Sequence, residues 1–162
     1  MVTLISAEQA AWMQSGVTSI VVASSSEGGR PAVGWALGSR VDEDRRQVVV
    51  FLLEAQSHDV LSDLRGGRRV SVLFTQSSNT RALQLKARGA REVALGPQDC
   101  ALLDRYAVAL ADEWSLLGQP RPFSLALMSR EGDTLVAFEL TPEEAFDQTP
   151  GPRAGSQLKA DS

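Results

Sequence analysis

The sequence predicts a mainly β protein, in which seven strands form a closed antiparallel barrel with helical caps. Short β-branched or alternating apolar stretches recur along the chain, turn-forming residues separate them, and only three or four segments have helical spacing. Apolar residues make up 43% of the 162 residues and charged residues 22%, which is the balance of an ordinary globular domain. We therefore expect one domain over residues 1–147, followed by a Pro- and Gly-rich tail over 148–162.

The first elements are a short helix and three strands. Ser6 and Gln9 have the spacing of a capping box, which predicts a helix that ends near Gly16. Ala10, Ala11 and Met13 are expected on its buried side, and Trp12 either covers a barrel end or lies at an interface. Strands are predicted over 19–23, 31–41 and 47–53, the last apolar enough to be covered on both faces.

A second helix is predicted over 57–64. Ser57 is a favourable N-cap residue, and Val60, Leu61 and Leu64 share one helical face. The remaining predicted elements are strands over 69–75 and 80–95 with a bend at Gly89, a long helix over 97–117, and a hairpin of strands over 123–129 and 134–140.

Composition excludes several functional classes. The net charge is −4 and the sixteen Lys and Arg residues are dispersed, so a nucleic-acid partner is not expected. Neither lysine follows a glycine-rich loop and no GxGxxG pattern occurs, which removes the common phosphate-cradling motifs. The longest unbroken apolar run, 48–53, is too short for a membrane span, and the N-terminus lacks a signal-peptide pattern. We therefore expect a cytoplasmic protein.

Single residues limit the chemistry further. One histidine and one cysteine cannot form a Cys/His zinc site, and Cys100 has no partner for an internal disulfide. His58 stands between Ser57 and Asp59, but the members of a catalytic triad normally converge from separate elements. A role at a loop or helix entry is therefore favoured over catalysis for His58, and no catalytic residue or metal ligand is assigned.

From about residue 6 to 140, the order of elements and the residues around Ser57 and Gln84 resemble the pyridoxamine 5′-phosphate oxidase-like FMN-binding split-barrel family. The stretches that carry the resemblance are 48–57, 64–65, 69–74 and 83–89. The fold it implies is an antiparallel split β-barrel with helical caps. The resemblance also implies a homodimer with FMN at the subunit interface, a place that offers both apolar walls and polar groups.

The resemblance assigns roles to particular residues. Ser57 and the amides after it would hold the FMN phosphate at a helix N-terminus, where an anion is favoured. Leu52 and Leu53 would line the isoalloxazine through their backbone, and Gln84 would form a hydrogen bond with the ring edge. His58 is counted with this group because it directly follows Ser57.

The sequence departs from the family at the phosphate end. His58 and Asp59 stand where family members have basic residues, and Gly34 stands where the oxidases have a phosphate-binding arginine. Two explanations remain open. Either Arg81 or Arg40 supplies the missing positive charge from another strand, or FMN binding has been weakened or lost.

The resulting hypothesis is an FMN-binding homodimeric oxidoreductase that acts on an unknown small molecule, with no nucleic-acid or membrane partner. The alternatives are a non-enzymatic ligand-binding protein with a decayed flavin site, and a protein that binds heme or a deazaflavin. The tail has two interpretations as well. It either closes over a site and presents Arg153 to an anion, or lies loosely on the surface or is disordered.

Overall fold

Two antiparallel sheets carry the fold, and helices pack against them. The computed structural model describes residues 3–160 of the chain. In chain order the elements of that range are α1 (Ala7–Gln14), β1 (Thr18–Ser25), β2 (Pro31–Ala36), β3 (Gly38–Val41), β4 (Val48–Leu53), α2 (His58–Arg65), β5 (Val70–Gln76), β6 (Ala82–Ala87), β7 (Arg91–Val93), α3 (Asp99–Ser115), α4 (Arg121–Leu127), β8 (Leu135–Leu140), β9 (Glu144–Asp147) and β10 (Ser156–Gln157).

The two sheets do not close into one barrel. One has six strands in the order β10-β9-β6-β5-β1-β2, and the other has four in the order β3-β4-β8-β7. The predicted split barrel is therefore confirmed, whereas the closed barrel is wrong. Two of the predicted strands, 31–41 and 80–95, are not continuous, because the chain passes from one sheet to the other within each of them.

The first change of sheet occurs at Leu37. The chain leaves β2 there, and β3 begins at Gly38, whose strand partner is Phe51 of β4. A Cβ atom on Gly38 would lie 2.5 Å from Cδ2 of the buried Leu103 in α3. The missing side chain therefore lets α3 approach β3 closely. The second change follows the predicted bend at Gly89, because β6 and β7 belong to different sheets.

β4 is the most deeply buried strand. All six of its residues are buried, as its unbroken apolar sequence predicted. It pairs with β3 on one side and with β8 on the other, and its side chains join the core on both faces. Only four residues separate the end of this strand from the first residue of α2, so the position of β4 limits where α2 can begin.

The capping box of α1 is confirmed. The backbone N–H of Gln9 donates to Ser6 Oγ over 3.1 Å, and the N–H of Ser6 donates to Gln9 Oε1 over 2.8 Å. The burial of Ala11 was predicted wrongly, since that residue is exposed. Trp12 takes its place on the buried side and donates through its indole N–H to Gln76 Oε1 at the end of β5.

The predicted hairpin of 123–129 with 134–140 is also wrong. Residues 121–127 form α4, while β8 pairs with β4 and β7 instead. Apolar residues at 123, 125 and 127 imitate the alternation of a strand. Pro122, however, lies in the first turn of α4, where its fixed φ suits a helix. The buried residue of α4 is Ser124, and its apolar side chains are exposed.

The C-terminal segment lies against the six-stranded sheet. β10 pairs with β9, and the N–H of Leu158 donates to the carbonyl of Ala145 over 2.8 Å. Residues 156–158 are therefore held by backbone hydrogen bonds and do not lie loosely on the surface. That the segment closes over a site and presents Arg153 to an anion stays a prediction; Arg153 Nε lies 3.8 Å from Asp147 Oδ2. The domain boundary at residue 147 stays a prediction. None of the helices within residues 3–160 combines the length and hydropathy that a bilayer span requires.

The close approach at Gly38 gives a first prediction. Gly38→Ala places a methyl group 2.5 Å from Leu103 in a part of the core that has little room to move. We expect unfolding in urea to show a loss of about 1–3 kcal/mol in stability. Gly28→Ala is the matched control, because a Cβ there meets nothing within 4 Å. Equal losses in the two variants would contradict the argument.

Candidate functional site

Ser57 lies at the N-terminal end of α2 and is almost fully buried, with 2% of its surface exposed. Its backbone N–H donates to the carbonyl of Leu53 over 3.0 Å, but its Oγ has no hydrogen-bond partner among residues 3–160. No side chain caps α2. A buried hydroxyl without a partner is costly, so Ser57 is a position where an additional polar group would be stabilising.

Gly34 explains why α2 sits so close to β2. A Cβ atom at Gly34 would lie 3.1 Å from Ser57 Oγ and 3.4 Å from Leu52 Cδ2. A side chain at this position, including the arginine found in the oxidases, would therefore press on the start of α2. Ser57 is buried because residue 34 is a glycine and leaves room for the start of α2. The departure from the family pattern at Gly34 therefore accounts for the burial of Ser57.

The cavity beside the start of α2, here called the α2 entrance, carries more negative than positive charge. It holds about 240 Å³. Arg30 Nη2 lies 3.4 Å from Asp59 Oδ2, and His58 Nδ1 lies 3.2 Å from Asp59 Oδ1. Asp63 accepts a hydrogen bond from Ser24. With His58 neutral, one cation faces two carboxylates, a balance that disfavours an anion. The residues that line the cavity are Ser26, Arg30, Pro31, Ala32, His58, Asp59, Ser62 and Asp63.

Neither arginine expected to supply the missing charge lines the α2 entrance. Arg81 donates two 2.6 Å hydrogen bonds to Glu8 and stacks over the ring of Trp12. Its hydrogen bonds lower the pKa of the Glu8 carboxyl. Arg40 is bound to the buried carboxylate of Asp99, at 3.0 and 3.4 Å. Each guanidinium is thus already occupied by a carboxylate of its own chain.

Leu52 and Leu53 are the last two residues of β4 and lie next to Ser57, whose N–H donates to the carbonyl of Leu53. Both side chains are buried in the core, and both residues pair with β8. The ladder between β4 and β3 ends one residue earlier, at Phe51. A ligand could therefore reach these two leucines only through their backbone, as the resemblance implies.

Gln84 lies on the other side of the six-stranded sheet, on the face turned away from the core. We call this the outer face and define it by two rows of residues. Strand register places Gln84 in one row that runs straight across the sheet, with both ends aromatic. That row is Trp35, Val21, Leu73, Gln84 and Phe146, and the next row is Val33, Ala23, Ser71, Lys86 and Glu144.

The carboxamide of Gln84 is held in place by two hydrogen bonds. Its Nε2 donates to Ser71 Oγ over 2.8 Å, and its Oε1 accepts from Gln148 Nε2 over 2.9 Å. The second Nε2 hydrogen has no partner within residues 3–160, so the group presents a donor at a fixed orientation. Sequence reasoning missed Ser71 and Gln148. Gln148 stands in a Pro- and Gly-rich segment, where no periodic signal could have marked it.

The predicted site residues therefore fall into separate groups. Ser57, Leu52 and Leu53 lie together at the start of α2, and His58 lines the α2 entrance beside them. Gln84 lies on the outer face, and Arg81 lies elsewhere. Ser57 lies against Gly34 of β2, and Gly34 pairs with the buried Val22 of β1, so this contact is on the buried face of the sheet. Gln84 points to the opposite face. Within one chain the two groups cannot contact the same small molecule.

Comparisons with known proteins identify the fold. No protein-family profile and no curated protein matches the sequence. Among solved structures, a provisionally named pyridoxamine 5′-phosphate oxidase from Lactobacillus delbrueckii aligns at a TM-score of 0.53 and 17% identity, over 89% of this chain and 95% of that chain. HupZ from Group A Streptococcus aligns at 0.51 and 13% identity, over 89% and 97%.

A third match, the General Stress Protein 26 from Bacillus anthracis, aligns at a TM-score of 0.51 and 11% identity, over 94% of this chain and 96% of that chain. The chain has the split-barrel fold of the pyridoxamine 5′-phosphate oxidase-like proteins. At these identities the likeness establishes the fold alone, so the function of this split barrel has to be argued from its own residues.

The contact between Gln148 and Gln84 gives a second prediction. Gln148→Ala removes the donor that orients the Gln84 carboxamide, so the side-chain amide signals of Gln84 in an NMR spectrum should shift and broaden. The expected loss of stability is about 1 kcal/mol. Gln157→Ala, in exposed β10, is the matched control. Unchanged Gln84 side-chain signals in Gln148→Ala would show that this contact does not orient the amide.

Proposed function

We propose that this protein is a cytoplasmic, homodimeric FMN-binding split barrel that carries out redox chemistry on a small molecule. The observation that carries the proposal is the Gln84 carboxamide, fixed by Ser71 and Gln148 in the middle of a half-buried sheet face. The isoalloxazine of a flavin is planar and has donors and acceptors along one edge. An oriented amide beside apolar side chains suits such a ring.

The apolar neighbours of Gln84 favour a planar ligand. Leu73 is its direct strand partner, and Val21 follows in the same row. Side chains of this kind offer a flat surface against which a ring can pack and from which water is displaced. That one structural neighbour bears the name of an oxidase also supports redox chemistry.

The need for two chains follows from the positions of Ser57 and Gln84. These residues lie on opposite faces of the sheet, so a slot that uses both requires the α2 entrance of one copy and the outer face of the other. The outer face also has the exposed apolar residues that a partner would cover, since Val33 is 66% exposed and Trp35 44%. A stable interface needs about 800 Å² from each partner.

The chemistry would be divided between the cofactor and the chain. Bound FMN accepts and returns electrons, while the protein binds and orients it. Gln84 would donate its remaining N–H to the ring edge, and the backbone of Leu52 and Leu53 would border the slot from the second copy. The unpaired Oγ of Ser57 fits a polar ligand atom at the same end. No acid or base among these residues is placed to move a proton.

A second candidate function is ligand binding without redox activity. The observation that favours it is the charge of the α2 entrance, where Asp59 and Asp63 outnumber Arg30. A deazaflavin would use the same contact with Gln84. Heme binding is less favoured, because a histidine that ligates heme iron is normally held inside a pocket. The side chain of His58, the sole histidine, is 84% exposed and paired with Asp59.

Flavin binding is tested with the purified protein. We expect it to show the visible absorbance of a flavin or to take up added FMN. Gln84→Ala should weaken FMN binding about tenfold, because a hydrogen bond to the ring is lost. Gln98→Ala, an exposed glutamine before α3, serves as the control. Colourless protein that fails to bind FMN would favour the second candidate function.

Dimerisation is tested by placing a charge on the outer face. Val33→Glu should fold normally, because Val33 is exposed within one chain, but the buried carboxylate should separate the two copies. Light scattering after gel filtration measures the mass. Val108→Glu, at an exposed position on the far side of α3 from the buried Tyr106, should leave the dimer intact. A monomeric wild-type protein would refute the two-chain slot.

A further inference from the structure

A second cavity opens on the outer face, directly beside Gln84. It holds about 240 Å³ and lies where β1 and β6 end and β5 and β9 begin. None of the residues to which the resemblance assigned a role lines it, although Arg69, Ser71 and Lys86 fall within the stretches 69–74 and 83–89 that carry the resemblance. Its lining residues are Ala23, Ser24, Ser25, Arg69, Val70, Ser71, Lys86, Ala87, Arg88, Glu143 and Glu144.

Two cations of this cavity have no carboxylate partner. Arg69 is exposed and makes no hydrogen bond or ion pair with any residue in 3–160. The Lys86 ammonium lies 4.5 Å from the centre of the Phe146 ring, and its side chain makes no hydrogen bond or ion pair within residues 3–160. Arg88, in contrast, is paired with Glu143 over 3.2 Å. Arg69 and Lys86 are thus the cations available to a ligand.

The charge balance of this cavity is opposite to that of the α2 entrance. Three cations face two carboxylates here, Glu143 and Glu144, whereas one cation faces two carboxylates there. The whole chain has a net charge of −4, so a local excess of positive charge is not a consequence of composition. An anion is therefore attracted to the cavity on the outer face and repelled from the α2 entrance.

The cavity is connected to Gln84 by strand geometry. Gln84 and Lys86 are two residues apart in β6 and point to the same face, which separates them by about 7 Å. Ser71 is the strand partner of Lys86 and accepts the hydrogen bond from Gln84. The hydroxyl hydrogen of Ser71 has no other acceptor within residues 3–160, so it can be donated to an anion in the cavity.

From this arrangement we infer that Arg69, Lys86 and Ser71 form a phosphate-binding site, and that this site holds the phosphate of a flavin whose ring lies on Gln84. The inference rests on the proposed function for the position of the ring. In this arrangement the phosphate lies on the outer face and not at the α2 entrance. Its positive charge comes from Arg69 and Lys86, and not from Arg81 or Arg40.

The test compares FMN with riboflavin, which has the same ring and no phosphate. Fluorescence titrations are made on wild-type protein and on Arg69→Gln, Lys86→Met and Arg30→Gln. We expect Arg69→Gln and Lys86→Met each to weaken FMN binding about tenfold and riboflavin binding less than about twofold. Arg30→Gln should change neither. Arg105→Gln, an exposed arginine on α3, controls for the net charge.

Other results would overturn the inference. FMN binding that weakens in Arg30→Gln and not in Lys86→Met would return the phosphate to the α2 entrance. Equal affinity of the wild-type protein for FMN and riboflavin would mean that no residue binds the phosphate. Either result leaves the proposed flavin function standing.

If the wild-type protein binds neither FMN nor riboflavin, the proposed function is wrong. The phosphate-binding site is then tested on its own with inorganic phosphate. NMR titration with phosphate should then shift the backbone amides of Arg69, Ser71 and Lys86 in a saturable way, and Lys86→Met should abolish the shift. No saturable shift in the wild-type protein would refute the site.

Discussion

Burial of β4 on both faces is the constraint on which the rest of the structure depends. Its six apolar side chains are buried, and the strand lies inside the four-stranded sheet, where it pairs with β3 and β8. α2 follows four residues later and packs on the buried side of β1 and β2. Because the helix covers that side, the outer face of the six-stranded sheet receives little cover from its own chain. The candidate ligand surface is a consequence of how the core is filled.

The two ends of the proposed slot differ in charge, with an excess of carboxylates at the α2 entrance and an excess of cations on the outer face. At the α2 entrance, Asp59 and Asp63 outweigh Arg30, and the Oγ of the neighbouring Ser57 is buried. On the outer face, Lys86 and Arg69 have no carboxylate partner among residues 3–160, and Gln84 is fixed by Ser71 and Gln148. The charge of a surface depends on single side chains, whereas the fold depends on the buried strands, so a shared fold does not require a shared ligand site.

Sequence reasoning was most accurate where one local pattern decides the structure. The capping box of Ser6 and Gln9 and the apolar run of β4 were both confirmed, because hydrogen bonding within one turn and burial on two faces leave few alternatives. It was wrong where two patterns compete. Alternating apolar residues at 123, 125 and 127 indicated a strand, but Pro122 and packing against α3 produced α4. The continuous strand over 31–41 was likewise divided between sheets at Leu37.

The sequence by itself determined the predominance of strands, the position of the buried β4 and the capped beginning of α1, because these follow from apolar periodicity and local capping. Only the tertiary structure decided which face of the sheet each polar residue occupies. Gln148 reaches Gln84 across 64 residues of sequence, and Arg81 and Arg40 are bound to carboxylates far away in the chain. Contacts of this kind leave no local pattern, since they depend on how the two sheets are placed.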